Sequence, residues 1–215
     1  IEERLDATGR FAPDGTLPFP VPEETPEVLA FRKEHGLGER NFIVIHPGAG
    51  WPAKRWARSK WAELVKILSG HYAFPIVMSW GGKAEREEAE AVVDSSGKCC
   101  IMVPDLPLTP LWSLLAKARL FVGGDTGPLH LAVAGETPSV ALFGPTDGMR
   151  NGPYPPSVEN SACHRVVNGR CGNYPRCWSK KHRAACTCME KISVAAAAAA
   201  CDELLAEGRE GDKCR

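Results

Sequence analysis

Neither sign of charge is in surplus: the 215 residues carry 26 Lys+Arg against 26 Asp+Glu, a formal net charge of zero. A protein that grips a nucleic-acid backbone ordinarily shows a basic excess, so nucleic acid is set aside as a partner. Long apolar runs are also lacking. Nothing approaches the roughly 18 residues that a membrane-spanning helix requires. No basic-then-apolar leader follows Ile1, and a chain that does not open on Met is expected to be part of a longer protein. No internal repeat of about 20–50 residues is visible. What is present, 44% hydrophobic and 24% charged residues, is the composition of a soluble globular domain.

Nine cysteines stand out, five of them between positions 163 and 188 (Cys163, Cys171, Cys177, Cys186 and Cys188). The odd total and the local clustering argue against a disulfide framework and for reduced thiols in a cytoplasmic setting.

Hydrophobic pattern organises the rest. Residues 1–22, rich in Pro, Gly and charge, read as a linker, and 208–215 as a tail. Between them, 23–207 reads as one domain. A short helix is expected over 23–36. Apolar strands follow at 42–46, 74–80, 99–103, 120–122 and 139–143. Between them lie helices around 61–68, 83–94, 111–118 and 128–134. The segment 145–190 reads as irregular, with a Cys-rich basic stretch at 163–188, and the Ala-rich run within 190–207 as a last helix. Continuously apolar strands alternating with helices predict an α/β, Rossmann-like doubly wound parallel sheet.

Ligands of such sheets sit beyond the carboxyl ends of the strands, so the loops there hold the candidates. The first loop runs His46-Pro-Gly-Ala-Gly-Trp-Pro-Ala-Lys-Arg. Gly48 and Gly50 let backbone approach a ligand, and Lys54 adds positive charge suited to a phosphate. Neither G-x-x-x-x-G-K-[ST] nor G-x-G-x-x-G is present, and a plain turn with a solvated Lys-Arg pair is the alternative. The second loop, Gly123-Gly-Asp-Thr-Gly-Pro-Leu-His130, ends a buried strand and begins a helix at once. The amides of Thr126 and Gly127 would face an anion there, with His130 a turn further on. Alternatively, Asp125 or Thr126 caps the helix and His130 belongs to the core. The third loop, Trp80-Gly-Gly-Lys-Ala-Glu85, offers an acid for sugar hydroxyls, although Glu87, Glu88 and Glu90 compete as a solvated face.

HPGAGWPAKRW, WGGKAE, GGDTGPLHLA and LFGPTDGMRNGPY occur in one order and spacing. Together they resemble the C-terminal half of the heptosyltransferases of glycosyltransferase family 9, over about residues 20–206. The resemblance implies a GT-B C-terminal domain that binds a nucleotide-sugar donor, typically ADP-heptose, in an enzyme that builds the lipopolysaccharide core. It implies that Lys54 touches the donor phosphates and that Thr126 and Gly127 bind the diphosphate. Asp125 would hold the sugar, Glu85 the ribose, the backbone near Leu106 the adenine, and His130 would support the diphosphate. Gly48, Ala49 and Gly50 join this donor set, although that stretch differs from the best-known members. No cofactor is implied. The general base would lie in an N-terminal acceptor domain, so this chain alone is expected to be inactive; a stand-alone nucleotide-sugar-binding module is the alternative. The acceptor would be an anionic glycolipid at the inner membrane.

Two features remain. Cys171-x5-Cys177, His182 and Cys186-x-Cys188 could ligate zinc, but the spacing is not a C-x2-C pair. No metal is therefore assigned, with Cys171, Cys177, His182 and Cys188 the weak candidates and reduced structural thiols the other reading. Arg165, Arg170, Arg176, Lys180, Lys181 and Arg183 stand in a stretch without any acid, beside Trp178. That patch suits peripheral contact with an anionic membrane, a solvated loop being the alternative.

Overall fold

In the computed structural model, residues 20–153, 163–179 and 181–207 are described here; residues 1–19 of the expected 1–22 linker, the tail and Lys180 lie outside them. The elements are α1 (Pro26–Glu34), β1 (Ile43–His46), α2 (Arg58–His71), β2 (Ile76–Met78), α3 (Gly82–Ser95), β3 (Ile101–Met102), α4 (Leu108–Leu115), β4 (Leu120–Gly124), α5 (Gly127–Ala134), β5 (Ser139–Phe143), α6 (Gly148–Asn151), β6 (His164–Asn168) and α7 (Val194–Glu207). The six strands form one sheet in the order β3-β2-β1-β4-β5-β6, every neighbouring pair parallel. This is the doubly wound arrangement expected.

Strand periodicity divides the core. Ile43 and Ile45 of β1 face α2, α3 and α7 through Leu64, Val65, Leu68, Val92 and Cys201. Phe42 and Val44 face the other way, towards Val28, Phe31, Leu114 and Leu129. All four are fully buried. A sheet covered on both faces explains why its strands read as unbroken apolar runs.

The segment 145–190 departs from expectation. It is not irregular throughout, because β6 extends the sheet by pairing with β5 from Ser139↔His164 to Phe143↔Asn168. This edge strand was hidden by its sequence, His-Arg-Val-Val-Asn, which is only half-buried and reads as part of the basic stretch. Arg165 ties it to α7 through Glu203 at 2.6 Å. Tyr72 Oη donates to Asp202 Oδ1 at 2.7 Å and joins α7 to the end of α2.

Cys163 is disulfide-bonded, so reduced thiols do not hold at that position. A cysteine count and a spacing pattern do not exclude a single pair. Among the described residues no single helix is long and apolar enough to cross a membrane.

Candidate functional site

The strand order reverses between β1 and β4, which places a crevice beyond their carboxyl ends. A cavity of 510 Å³ opens there. It is lined by His46 at the end of β1, Gly50 and Lys54 from the next loop, Trp80 to Gly82 and Glu85 after β2, Asp105 to Leu108 after β3, and Asp125 to Pro128 after β4. Four separate strand ends therefore converge on one volume.

Lys54 closes the short 3₁₀ turn Pro52–Lys54. Its Nζ lies 2.6 Å from Asp125 Oδ2 and donates to the Asp125 carbonyl at 3.3 Å. Both side chains are mostly buried. The cation expected on a phosphate and the carboxylate expected on a sugar thus hold each other across the crevice. Trp51 supports the same lysine, its ring centre 5.1 Å from Nζ.

At the start of α5, Thr126 is the extended cap residue, but no side chain caps the helix. Thr126 Oγ1 donates instead to the Gly124 carbonyl at 3.4 Å, and the Asp125 carboxylate is taken by Lys54. The capping alternative is therefore not what the structure shows. The first-turn amides and the positive end of the helix dipole remain at the cavity wall beside exposed Gly127.

Glu85 sits near the start of α3 and reaches back, Oε2 accepting from the Gly81 N–H at 2.9 Å. Its carboxyl lies against Gly48, where an added Cβ would overlap it. Gly48 therefore makes room for Glu85 and does not itself line the cavity. Behind the acid, buried His46 stands 3.5 Å from Oε2 and shares a 3.1 Å hydrogen bond between Nδ1 and Ser79 Oγ. Burial pushes the His46 pKa down to about 4, against a smaller opposing effect of a hydrogen bond with the Ser79 backbone. His46 is thus neutral at pH 7 and packs against the Glu85 carboxyl without an opposing charge of its own.

The far wall, after β3, is largely apolar, with exposed Asp105 at its edge. Leu106 and Leu111 are buried there, and Leu108 is 65% exposed at the rim. One end of the cavity thus presents fixed polar groups and the other a largely apolar wall.

Of the residues singled out from sequence, Gly50, Lys54, Glu85, Leu106, Asp125, Thr126 and Gly127 share this cavity. Gly48, Ala49 and His130 do not line it. Ala49 is buried beneath the loop. His130 is exposed on α5, because Leu129 takes the core-facing position and one residue further turns the chain by about 100°. It is neither a core histidine nor a cavity residue. His46 and Asp105 were missed, although the strand-end rule that selected the other loops points to both. The cysteines regroup as well. Cys171, Cys177, Cys186 and Cys188 come together, whereas His182 stands aside with Nδ1 2.9 Å from Ser179 Oγ.

Residues 18–173 match the family model of glycosyltransferase family 9 (heptosyltransferase). The chain belongs to this family. Lipopolysaccharide heptosyltransferase 1 of Pseudomonas aeruginosa is 31% identical over 140 residues, 64% of this chain and 39% of that relative. A family 9 glycosyltransferase structure from Veillonella parvula DSM 2008 superposes with TM-score 0.71 at 23% identity, covering 86% of this chain and 53% of the other. The E. coli heptosyltransferase WaaC with ADP superposes with TM-score 0.62 at 23% identity, covering 78% and 45%. These structures share the fold. The chain spans less than half the length of the curated relatives it matches.

Proposed function

We propose that this chain furnishes the donor-binding half of an inverting glycosyltransferase, moving heptose or a related sugar from an ADP-sugar to a lipopolysaccharide core acceptor. The observation that carries the proposal is the crevice between β1 and β4. Lys54 and the uncapped start of α5 meet there at one end, facing a largely apolar wall at the other. That division suits a nucleoside diphosphate, with charge at one end and a flat base at the other.

In direct displacement the acceptor hydroxyl attacks the anomeric carbon while the bond to the diphosphate breaks. Negative charge grows on the leaving diphosphate. Fixed N–H donors and Lys54 interact more strongly with that charge as it develops, which lowers the barrier. Glu85, held at the cavity wall by the Gly81 N–H, takes the ribose hydroxyls, and the backbone near Leu106 faces the base. Asp125 holds the sugar and sets the position of Lys54. The adenine assignment is supported by the likeness to WaaC, whose structure contains ADP. The acceptor hydroxyl loses its proton to a base supplied by an acceptor-binding domain outside these residues.

The test is reconstitution. The 215-residue chain should bind ADP and transfer no sugar alone, and should transfer heptose from ADP-heptose when joined to the acceptor-binding half of a relative. Transfer by the chain alone would place the base within it and refute the division of labour. Donor binding without transfer in every pairing would favour a stand-alone nucleotide-sugar-binding module.

A further inference from the structure

No described residue of the stretch between β6 and α7 lines the cavity, yet the stretch gathers four thiols. The Sγ atoms of Cys171, Cys177, Cys186 and Cys188 all lie within 4.8 Å of one another. Cys171 is 3.2 Å from Cys177 and 3.4 Å from Cys188, sulfur to sulfur. None of the four is in a disulfide. A tetrahedral ion with metal–sulfur bonds of about 2.3 Å sets its sulfurs about 3.8 Å apart, so the cluster has the dimensions of a tetrathiolate site.

The surroundings suit such a site. Two loops each supply a pair of ligands and approach closely: a Cβ added at Gly169 would overlap the Cys188 carbonyl oxygen. The Cys171 N–H donates to Cys188 Sγ at 3.4 Å and so ties the two ligand-bearing loops together. When a divalent ion binds, four S–H bonds give way to four metal–sulfur bonds, four protons leave, and the complex carries two negative charges. Six basic residues and no acid lie between positions 164 and 189, a matching field. The regular structure of this stretch consists of the 3₁₀ turns Arg176–Trp178, Arg183–Ala185 and Met189–Lys191, each too short to be stable alone.

We infer that Cys171, Cys177, Cys186 and Cys188 bind one zinc or iron ion, and that the resulting knuckle buttresses the loop carrying Lys54. Thiolate sets of this geometry select these two metals. Arg183, between the two ligand pairs, stacks its guanidinium 3.5 Å from the Trp51 ring centre. Just beyond Cys188, the Ile192 carbonyl accepts from Trp56 Nε1 at 3.1 Å and from Lys60 Nζ at 2.7 Å. Trp51 and Trp56 flank Lys54, so the knuckle grips the loop from both ends. The metal site stands independently of the donor reading.

The chain should be expressed with zinc and iron supplied, purified anaerobically and analysed for metal. One ion per chain is expected. Iron announces itself by sulfur-to-metal charge transfer in the visible, whereas zinc is silent and its replacement by Co²⁺ gives the bands of a tetrahedral thiolate. Cys186→Ser and Cys188→Ser should lose the ion. Cys186→His, which supplies another ligand, should keep it with an altered Co²⁺ spectrum. Chelation should raise hydrogen exchange several-fold at amides 51–56, a readout that needs no nucleotide. A metal-free chain with four titratable thiols here, two disulfides among them, or metal content untouched by both Ser variants overturns the site. Metal loss without faster exchange at 51–56 overturns the buttress. Failure to bind ADP in the metal-loaded chain would instead count against the donor reading.

Discussion

Lys54 and Asp125 neutralise one another across the crevice, so the positive charge available to a diphosphate is smaller than the loop sequence implies. Removing the carboxylate should therefore separate the two proposed roles. Asp125→Asn is expected to tighten ADP by about 1 kcal/mol, in line with a partly screened ion pair, while weakening ADP-heptose, whose sugar loses a partner. Parallel titrations with the two ligands check this, and equal shifts for both would place Asp125 away from the sugar. Two buried histidines govern acid stability. His46 and His164 both have their pKa lowered from 6.5 to about 4, chiefly by burial, with the Arg165 charge adding to the effect at His164. Below pH 6.5 the unfolded chain takes up protons that the folded chain refuses. Stability is therefore full above about 6.5 and falls as pH drops towards about 4, by about 3 kcal/mol for His46. Thermal melts between pH 7 and 4.5 should show this slope, and His164→Gln should make it shallower.

At the scale of elements, five of the six strands were legible because each is an apolar run, fully buried in β1, β2, β4 and β5 and half-buried in β3. β6 was not, since an edge strand with one basic side chain needs no such run. The cavity loops were legible through the same rule that placed the strands. His130 was misplaced because proximity in sequence says nothing of which side of α5 a residue takes. The thiol cluster was partly legible, four cysteines close in sequence. The substitution of Cys186 for His182 depended on how two loops meet, which spacing does not encode. Gly123, in the Gly-Gly pair ending β4, carries a packing role that its place in a loop sequence does not reveal. A Cβ at Gly123 would lie 2.7 Å from Cζ of fully buried Phe121. Gly123→Ala is accordingly expected to cost about 1–3 kcal/mol of stability from overpacking. Denaturant unfolding measures it; an unchanged midpoint would show that Phe121 can move aside.

At the scale of the whole molecule, zero net charge conceals a basic stretch on one flank. The structure draws three of its six cations into local contacts: Arg165 on Glu203, Arg170 over Tyr174 at 4.6 Å and Arg183 over Trp51. Arg176 and Lys181 are exposed. If this flank meets an anionic membrane, sedimentation with anionic vesicles should fall when both become Ser and should also fall at high salt. Binding indifferent to salt and substitution would end that reading.

The central claim is that the crevice between β1 and β4 holds an adenosine diphosphate through Lys54 and the start of α5. Calorimetric titration of the chain with ADP, with UDP, and with ADP against Lys54→Ala tests it most directly. The account predicts saturable binding of ADP in preference to UDP, weakened by about 1–3 kcal/mol in the variant, the usual worth of a hydrogen bond to a charged group. ADP affinity that is unchanged in Lys54→Ala, or a preference for UDP, would contradict it.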